Sequence, residues 1–298
     1  MNIATTRIMK PALVVAGLSF LLRAGFPCTL AVISGKASAN GRPLMWKNRD
    51  TSDPNNKLVH FTGPKYNSIA VVISEDVKLT EVWGGQNTEG FAIMNSQADD
   101  LVAKDKKFDG AGNGAFMELA LGECATVGDF ENLLLREKEK WDLAANFGVI
   151  DADGGACFFE TRSDSYQKFD TKDPRVAPFG TIVRTNFAFT SPDQMLGGGF
   201  DRFERISHII EAARAAGRID GKFILQEAAR AQAHPATMWV ILGQPVAGVA
   251  VPVWPAAGKV PAVTTGPKTA PFAGTVPSPQ MSLASTAAQS MFLKKASM

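Results

Sequence analysis

The sequence predicts an α+β layered domain over residues 28–262. Short apolar or alternating runs bounded by Gly, Asn or Asp fill its first half, as strands do. Stretches with helical periodicity and helix start and stop signals lie between and after them. From about Val263 the periodic pattern gives way to Thr, Pro, Ser, Ala and Lys, the composition of a disordered tail over 263–298. Strands in two groups with helices between them must bury their apolar faces against one another, which makes layers.

The elements follow in order. Thr29–Ser34, Pro43–Lys47, Ser68–Ser74, Leu79–Gly84 and Gly90–Asn95 read as strands. Asn40-Gly41 is a tight-turn dipeptide, so residues 28–50 read as a β-hairpin that returns Asp50 to the neighbourhood of Cys28. Gly114–Cys124 is a helix with Phe116, Leu119 and Ala120 on one face. Val127–Lys140 is a second, headed by Asp129 and ending in basic residues, the order that suits the helix dipole. Strands return at Phe147–Ala152, Ala156–Thr161 and Thr181–Asn186. The helix Arg202–Ala216 has Asp201 as its expected N-cap and Gly217 as its stop. Met238–Leu242 and Ala247–Val253 form a closing hairpin.

Composition narrows the function. A charged fraction of 20% and a net charge of +2 give no reason to expect a nucleic acid or an anionic membrane as partner. Residues 1–27 carry Arg7 and Lys10 ahead of the apolar run Pro11–Leu22, which is too short to span a bilayer. That pattern fits a secretory signal or pro-segment removed on maturation, and an exported protein. Three cysteines make a poor disulfide framework, and Cys124 and Cys157 read as small buried hydrophobes. No Cys/His cluster has metal-ligand spacing, and no phosphate- or dinucleotide-binding glycine motif occurs, so neither metal nor organic cofactor is implied. The sequence leaves the oligomeric state open, a homo-oligomer included.

Cys28 is the candidate nucleophile. Cutting before it would place a thiol and a free α-amine on one residue. The amine titrates near ~8 and can take the thiol proton, so the pair is a nucleophile with its own base. Histidine is scarce: His60, His208 and His234 are the whole supply, and none sits in a triad signature. Three further stretches end or begin elements with polar side chains. They are Trp83–Asn95 (WGGQNTEGFAIMN), Arg184–Phe187 (RTNF) and Asp201–Arg205 (DRFER). Phe61, Trp83 and Phe187 are apolar enough to line a pocket, although core packing is the preferred account of each.

Taken in order, CT…NGRPLMWKNRD, GGQNTEGFAIMN, IDADGGACFFE, RTNF and DRFER resemble the linear-amide C–N hydrolases of the N-terminal-nucleophile superfamily. That group includes penicillin V acylase, choloylglycine (bile salt) hydrolase and the acyl-coenzyme A:6-aminopenicillanic acid acyltransferase type. The resemblance spans about residues 28–255. It implies a four-layer αββα sandwich and hydrolysis of a small-molecule N-acyl amide through a Cys28 thioester. It also implies roles: Asp50 positions the nucleophile and its amine, Asn186 is the side-chain oxyanion donor, Asn95 helps hold the oxyanion or the pocket, and Arg202 lies near the reaction centre. Lys47 stands where the bile salt and penicillin V enzymes carry arginine three residues before the aspartate. It keeps the charge without the planar fork. The opening CTLAVISGKASANG also resembles the related dipeptidases. Acyl transfer, dipeptidase activity and a non-catalytic secreted binding protein uncut before Cys28 are the alternatives.

Overall fold

The expected first hairpin forms, but through a ten-residue connection, 34–43, in which Asn40-Gly41 makes only the final turn. Gly41 adopts φ 77°, and strands β1 (Thr29–Ile33) and β2 (Leu44–Arg49) pair antiparallel with Thr29 opposite Asn48. The computed structural model describes residues 28–49, 55–76, 78, 82–102, 111–138, 140–191, 198–232, 238–243 and 253–255. Asp50, His234, the proposed leader 1–27 and the tail 263–298 lie outside the described residues, as do parts of the expected strands at 79–84 and 247–253.

Two antiparallel sheets face each other. The larger sheet consists of β3 (Asn56–Thr62), β4 (Asn67–Ile73), β5 (Gly84–Asn87), β6 (Ala92–Gln97), β7 (Ala144–Ile150), β8 (Ala156–Arg162) and β9 (Tyr166–Asp170), paired in that order as a seven-stranded meander. The other sheet runs β10-β1-β2-β11-β12, with β10 (Thr181–Arg184), β11 (Met238–Gly243) and β12 (Val253–Pro255). The expected closing hairpin is the antiparallel β11–β12 pair.

Side-chain alternation along the strands sets the layers. Leu30, Val32, Met45 and Ile182 of the smaller sheet bury themselves against Val71, Met94, Ile150 and Phe158 of the larger. The other face of the smaller sheet, with Ala31, Ile33, Leu44 and Trp46, packs on Ile206, Ile210 and Ala213 of helix α3 (Phe200–Ala215). The outer face of the larger sheet, with Val72, Ile93, Phe147 and Phe159, packs on Phe116 of α1 (Ala111–Glu123) and Phe130 of α2 (Val127–Arg136). The order is helix, sheet, sheet, helix: the four-layer αββα sandwich that the resemblance implies.

Several local readings change. Strand β5 is Gly84–Asn87, and Val82 and Trp83 of the expected Leu79–Gly84 strand lie outside it. A Cβ on Gly85 would stand 2.7 Å from Leu121 Cδ1 and 2.8 Å from Ala70 Cβ, so glycine here admits α1 against the sheet. Helix α2 stops at Arg136, and its head is a capping box between Thr126 and Asp129. Helix α3 is capped by Gly199 in the left-handed region (φ 86°), and Asp201 falls in its first turn without a capping bond. Gly217 stops α3 as expected, at φ 63°. Strands β3 and β9 were not expected. They are the two edges of the meander, and half-buried edge strands carry little apolar contrast.

Candidate active site

Cys28 lies at the start of β1 and is 5% exposed. Three elements converge on its backbone. Its nitrogen donates to Asn186 Oδ1 at 2.7 Å, just beyond β10. Arg202, in the first turn of α3, donates through Nη1 to the Cys28 carbonyl and to Thr29 Oγ1 at 3.0 Å. Its Nη2 donates to Asn186 Oδ1 at 3.0 Å, which closes a ring of contacts between the nucleophile, the asparagine and the arginine. The left-handed cap makes this possible, because a Cβ on Gly199 would meet Arg202 Nη2 at 2.2 Å.

The orientation of the Asn186 amide follows from its partners. The Cys28 nitrogen and the Arg202 guanidinium are donors and require the oxygen. The Gln97 carbonyl, 2.9 Å from Nδ2, requires the nitrogen. Asn186 therefore presents an acceptor to Cys28, and its donor is engaged at the end of β6. This differs from the oxyanion-donor role that the resemblance gives it.

A second cluster lies beside the first. Lys47 on β2 is 0% exposed, and its ammonium donates to Asn95 Oδ1 and to the Trp83 carbonyl, each at 3.2 Å. Burial pulls its pKa down from 10.5 to about 8. The neighbouring Cys28 opposes that shift, and Arg49 adds to it. Lys47 pairs with Leu30 across β1–β2, two residues along the chain from Cys28, which sets the two clusters side by side. Arg49 stacks over the Trp83 ring at 3.8 Å, with Lys47 Nζ 5.4 Å from the same ring. With Asn95 Oδ1 occupied by Lys47, its Nδ2 has no protein partner among the described residues, and Asn95 is 5% exposed.

Other candidates fall elsewhere. Phe187 is 3% exposed and stacks on Phe200 at 4.3 Å, with Phe189 and Phe203 edge-on, forming an aromatic cluster at the head of α3. Phe61 packs against the outer core beneath the helices. His60 and His208 are exposed. Cys124 and Cys157 are free and buried, and burial pushes both thiols up to about 12. The sequence reading missed Thr29 and the Gln97 carbonyl. Thr29 is the second letter of the CT opening, whereas a backbone carbonyl leaves no mark in a sequence.

The chain matches no family model and no curated protein. Solved structures similar to it include a mutant of conjugated bile acid hydrolase from Clostridium perfringens, 13% identical over 68% of this chain and 74% of that one, with a TM-score of 0.41. Penicillin V acylase from Agrobacterium tumefaciens is 15% identical over 72% of this chain and 79% of that one, with a TM-score of 0.46. The layer order and the contacts at Cys28, not these likenesses, support the functional reading below.

Proposed function

We propose that this chain is an exported amide hydrolase that loses residues 1–27 and cleaves a linear N-acyl bond with Cys28. The observation that carries this reading is the grip of Asn186 Oδ1 on the Cys28 nitrogen at 2.7 Å, at the start of a strand and beside a buried ammonium. In the chain cut before Cys28 that nitrogen is the α-amine. An N–H held by Asn186 leaves the amine lone pair free to take the thiol proton.

The thiol gives its proton to the α-amine, and the thiolate forms a C–S bond to the substrate carbonyl carbon. The tetrahedral oxyanion is met by Asn95 Nδ2 and by the positive charge of Lys47. Collapse breaks the C–N bond, and the α-ammonium protonates the departing amine. Water then adds to the thioester, giving its proton to the α-amine, and releases the acid and the thiol. Asp50, one residue past β2, is carried over from the resemblance as the carboxylate that steadies the amine. Loss of one oxyanion donor costs about 3–4 kcal/mol of activation free energy, so Asn95→Ala should lower turnover by ~10²- to 10³-fold.

Two measurements test this. Intact mass of the exported protein should correspond to a chain beginning at Cys28. Cys28→Ala, in a chain already matured to that position, should lose at least ~10³-fold in turnover of any N-acyl substrate found by screening. Normal turnover by that variant would sink the proposal.

A further inference from the structure

Three polar side chains form a row across the inner face of the larger sheet. Ser96 on β6, Asn146 on β7 and Glu160 on β8 are direct register partners, and each is at most 1% exposed. They face the other sheet, because Ala145 and Phe147 on either side of Asn146 belong to the outer core. Asn146 Nδ2 reaches Ser96 Oγ at 3.2 Å and Glu160 accepts from Arg184 Nε at 2.9 Å, but most of their bonds go to one piece of backbone. Asn146 Nδ2 donates to the carbonyls of Thr185 and Phe187, each at 3.1 Å, the residues on either side of Asn186. Ser96 Oγ also donates to the Thr185 carbonyl. Glu160 accepts from the nitrogens of Phe189 at 3.0 Å and Thr190 at 2.9 Å. Asp100 accepts from the nitrogen between these groups, Ala188, at 2.8 Å.

An apolar row would pack two sheets together without the desolvation that buried polar groups suffer. Asn146 is extreme in this respect. Its Oδ1 is buried with no partner among the described residues, so the side chain serves only as a donor. Both backbone carbonyls it holds flank the residue that grips Cys28.

We infer that Asn146 is a positioning residue for the nucleophile: by holding the carbonyls of the residues before and after Asn186, it sets the contact between Asn186 and the Cys28 nitrogen. This rests on the reading of Cys28 as the nucleophile. Ser96 supports the same carbonyl, and Glu160 with Asp100 anchors the continuation of the segment. Asn146 acts through Asn186, so its effect should vanish when Asn186 is already removed.

The test is a double-mutant cycle on thiol labelling. The full chain is expressed, and the exported protein is treated with iodoacetamide and read by intact mass and peptide mapping. Wild type, Asn146→Ala, Asn186→Ala and the double variant are compared, with Cys124 and Cys157 as internal references. Cys28 should be the fast thiol in wild type. Asn146→Ala should slow Cys28 labelling roughly fivefold, leave Cys124 and Cys157 silent, and add nothing in the Asn186→Ala background. An unchanged or raised Cys28 rate overturns the inference, as does an effect that adds in full to that of Asn186→Ala. If Asn146→Ala exposes all three cysteines together, the cycle is repeated with Ser96→Ala, which removes one of the two donors to the Thr185 carbonyl. Additivity there overturns the inference, and its loss in the Asn186→Ala background supports it. A wild-type Cys28 no faster than the other two overturns the nucleophile reading itself and takes this inference with it.

Discussion

Lys47 shows how one residue ties chemistry to stability. Its ammonium is fully buried with neutral partners, a carbonyl and an amide oxygen, and burial lowers its pKa to about 8. The unfolded chain holds that proton up to the ordinary lysine value, near 10.5. Between these values the unfolded state binds more protons than the folded one, so the Lys47 contribution makes the protein more stable as pH rises through the window. The full effect is on the order of 3 kcal/mol. Lys47→Met should remove this rise in melting temperature between about pH 8 and 10.5, while lowering turnover because the proposed oxyanion site loses a buried positive charge. Thermal melts at several pH values check the first part. A variant with an undiminished rise would assign it to other groups.

At the scale of elements, the head of α3 delivers Arg202, and the left-handed turn at Gly199 lets it do so. Gly199→Ala meets two obstacles: a positive φ that disfavours a side chain by ~1–2 kcal/mol, and a Cβ inside the guanidinium. Arg202 must then swing away from the Cys28 carbonyl and from Asn186. The expected outcome is a melting temperature lowered by a few degrees together with a turnover loss much larger than so mild a destabilisation explains. Equal losses from Gly217→Ala, at the other end of the same helix, would show that only helix stability matters. Gly85 serves packing instead, because it lets α1 settle against β4 and β5.

For the whole molecule, the join between the sheets is partly polar. Arg184 on β10 pairs with Glu160 on β8 at 2.9 Å, with both side chains at most 5% exposed, and the guanidinium also stacks over Phe189 and Phe169 at 4.3 and 4.5 Å. Breaking such a pair by removing one partner leaves a buried charge and costs about 3–5 kcal/mol. Glu160→Gln should therefore lower the urea midpoint markedly. A shift equivalent to less than about 1 kcal/mol would show that the aromatic rings alone carry Arg184. The same network ties the seven-stranded sheet to β10 and to the segment that follows it into Asn186, so the seam between the layers also organises the site.

Much of this was legible along the chain. Near-continuous apolar runs marked the inner strands because both faces of those strands are buried. Asn40-Gly41 marked the first hairpin because few dipeptides adopt its turn. The CT, RTNF and DRFER stretches marked Cys28, Asn186 and Arg202. Edge strands β3 and β9 escaped notice because one neighbour and partial exposure leave them a mixed pattern. The glycines of β5 read as a turn because the reason for them, Leu121 of α1, lies elsewhere in the sequence. The sequence by itself determined the kinds of residue available and the local periods that make strands and helices. Only the tertiary structure decided that Asn186 faces Cys28 with its oxygen, that Lys47 is buried beside Asn95, and that Ser96, Asn146 and Glu160 share a row. Those facts depend on register between strands and on contacts between residues as far apart as Cys28 and Arg202, and local residue preference carries no information about either.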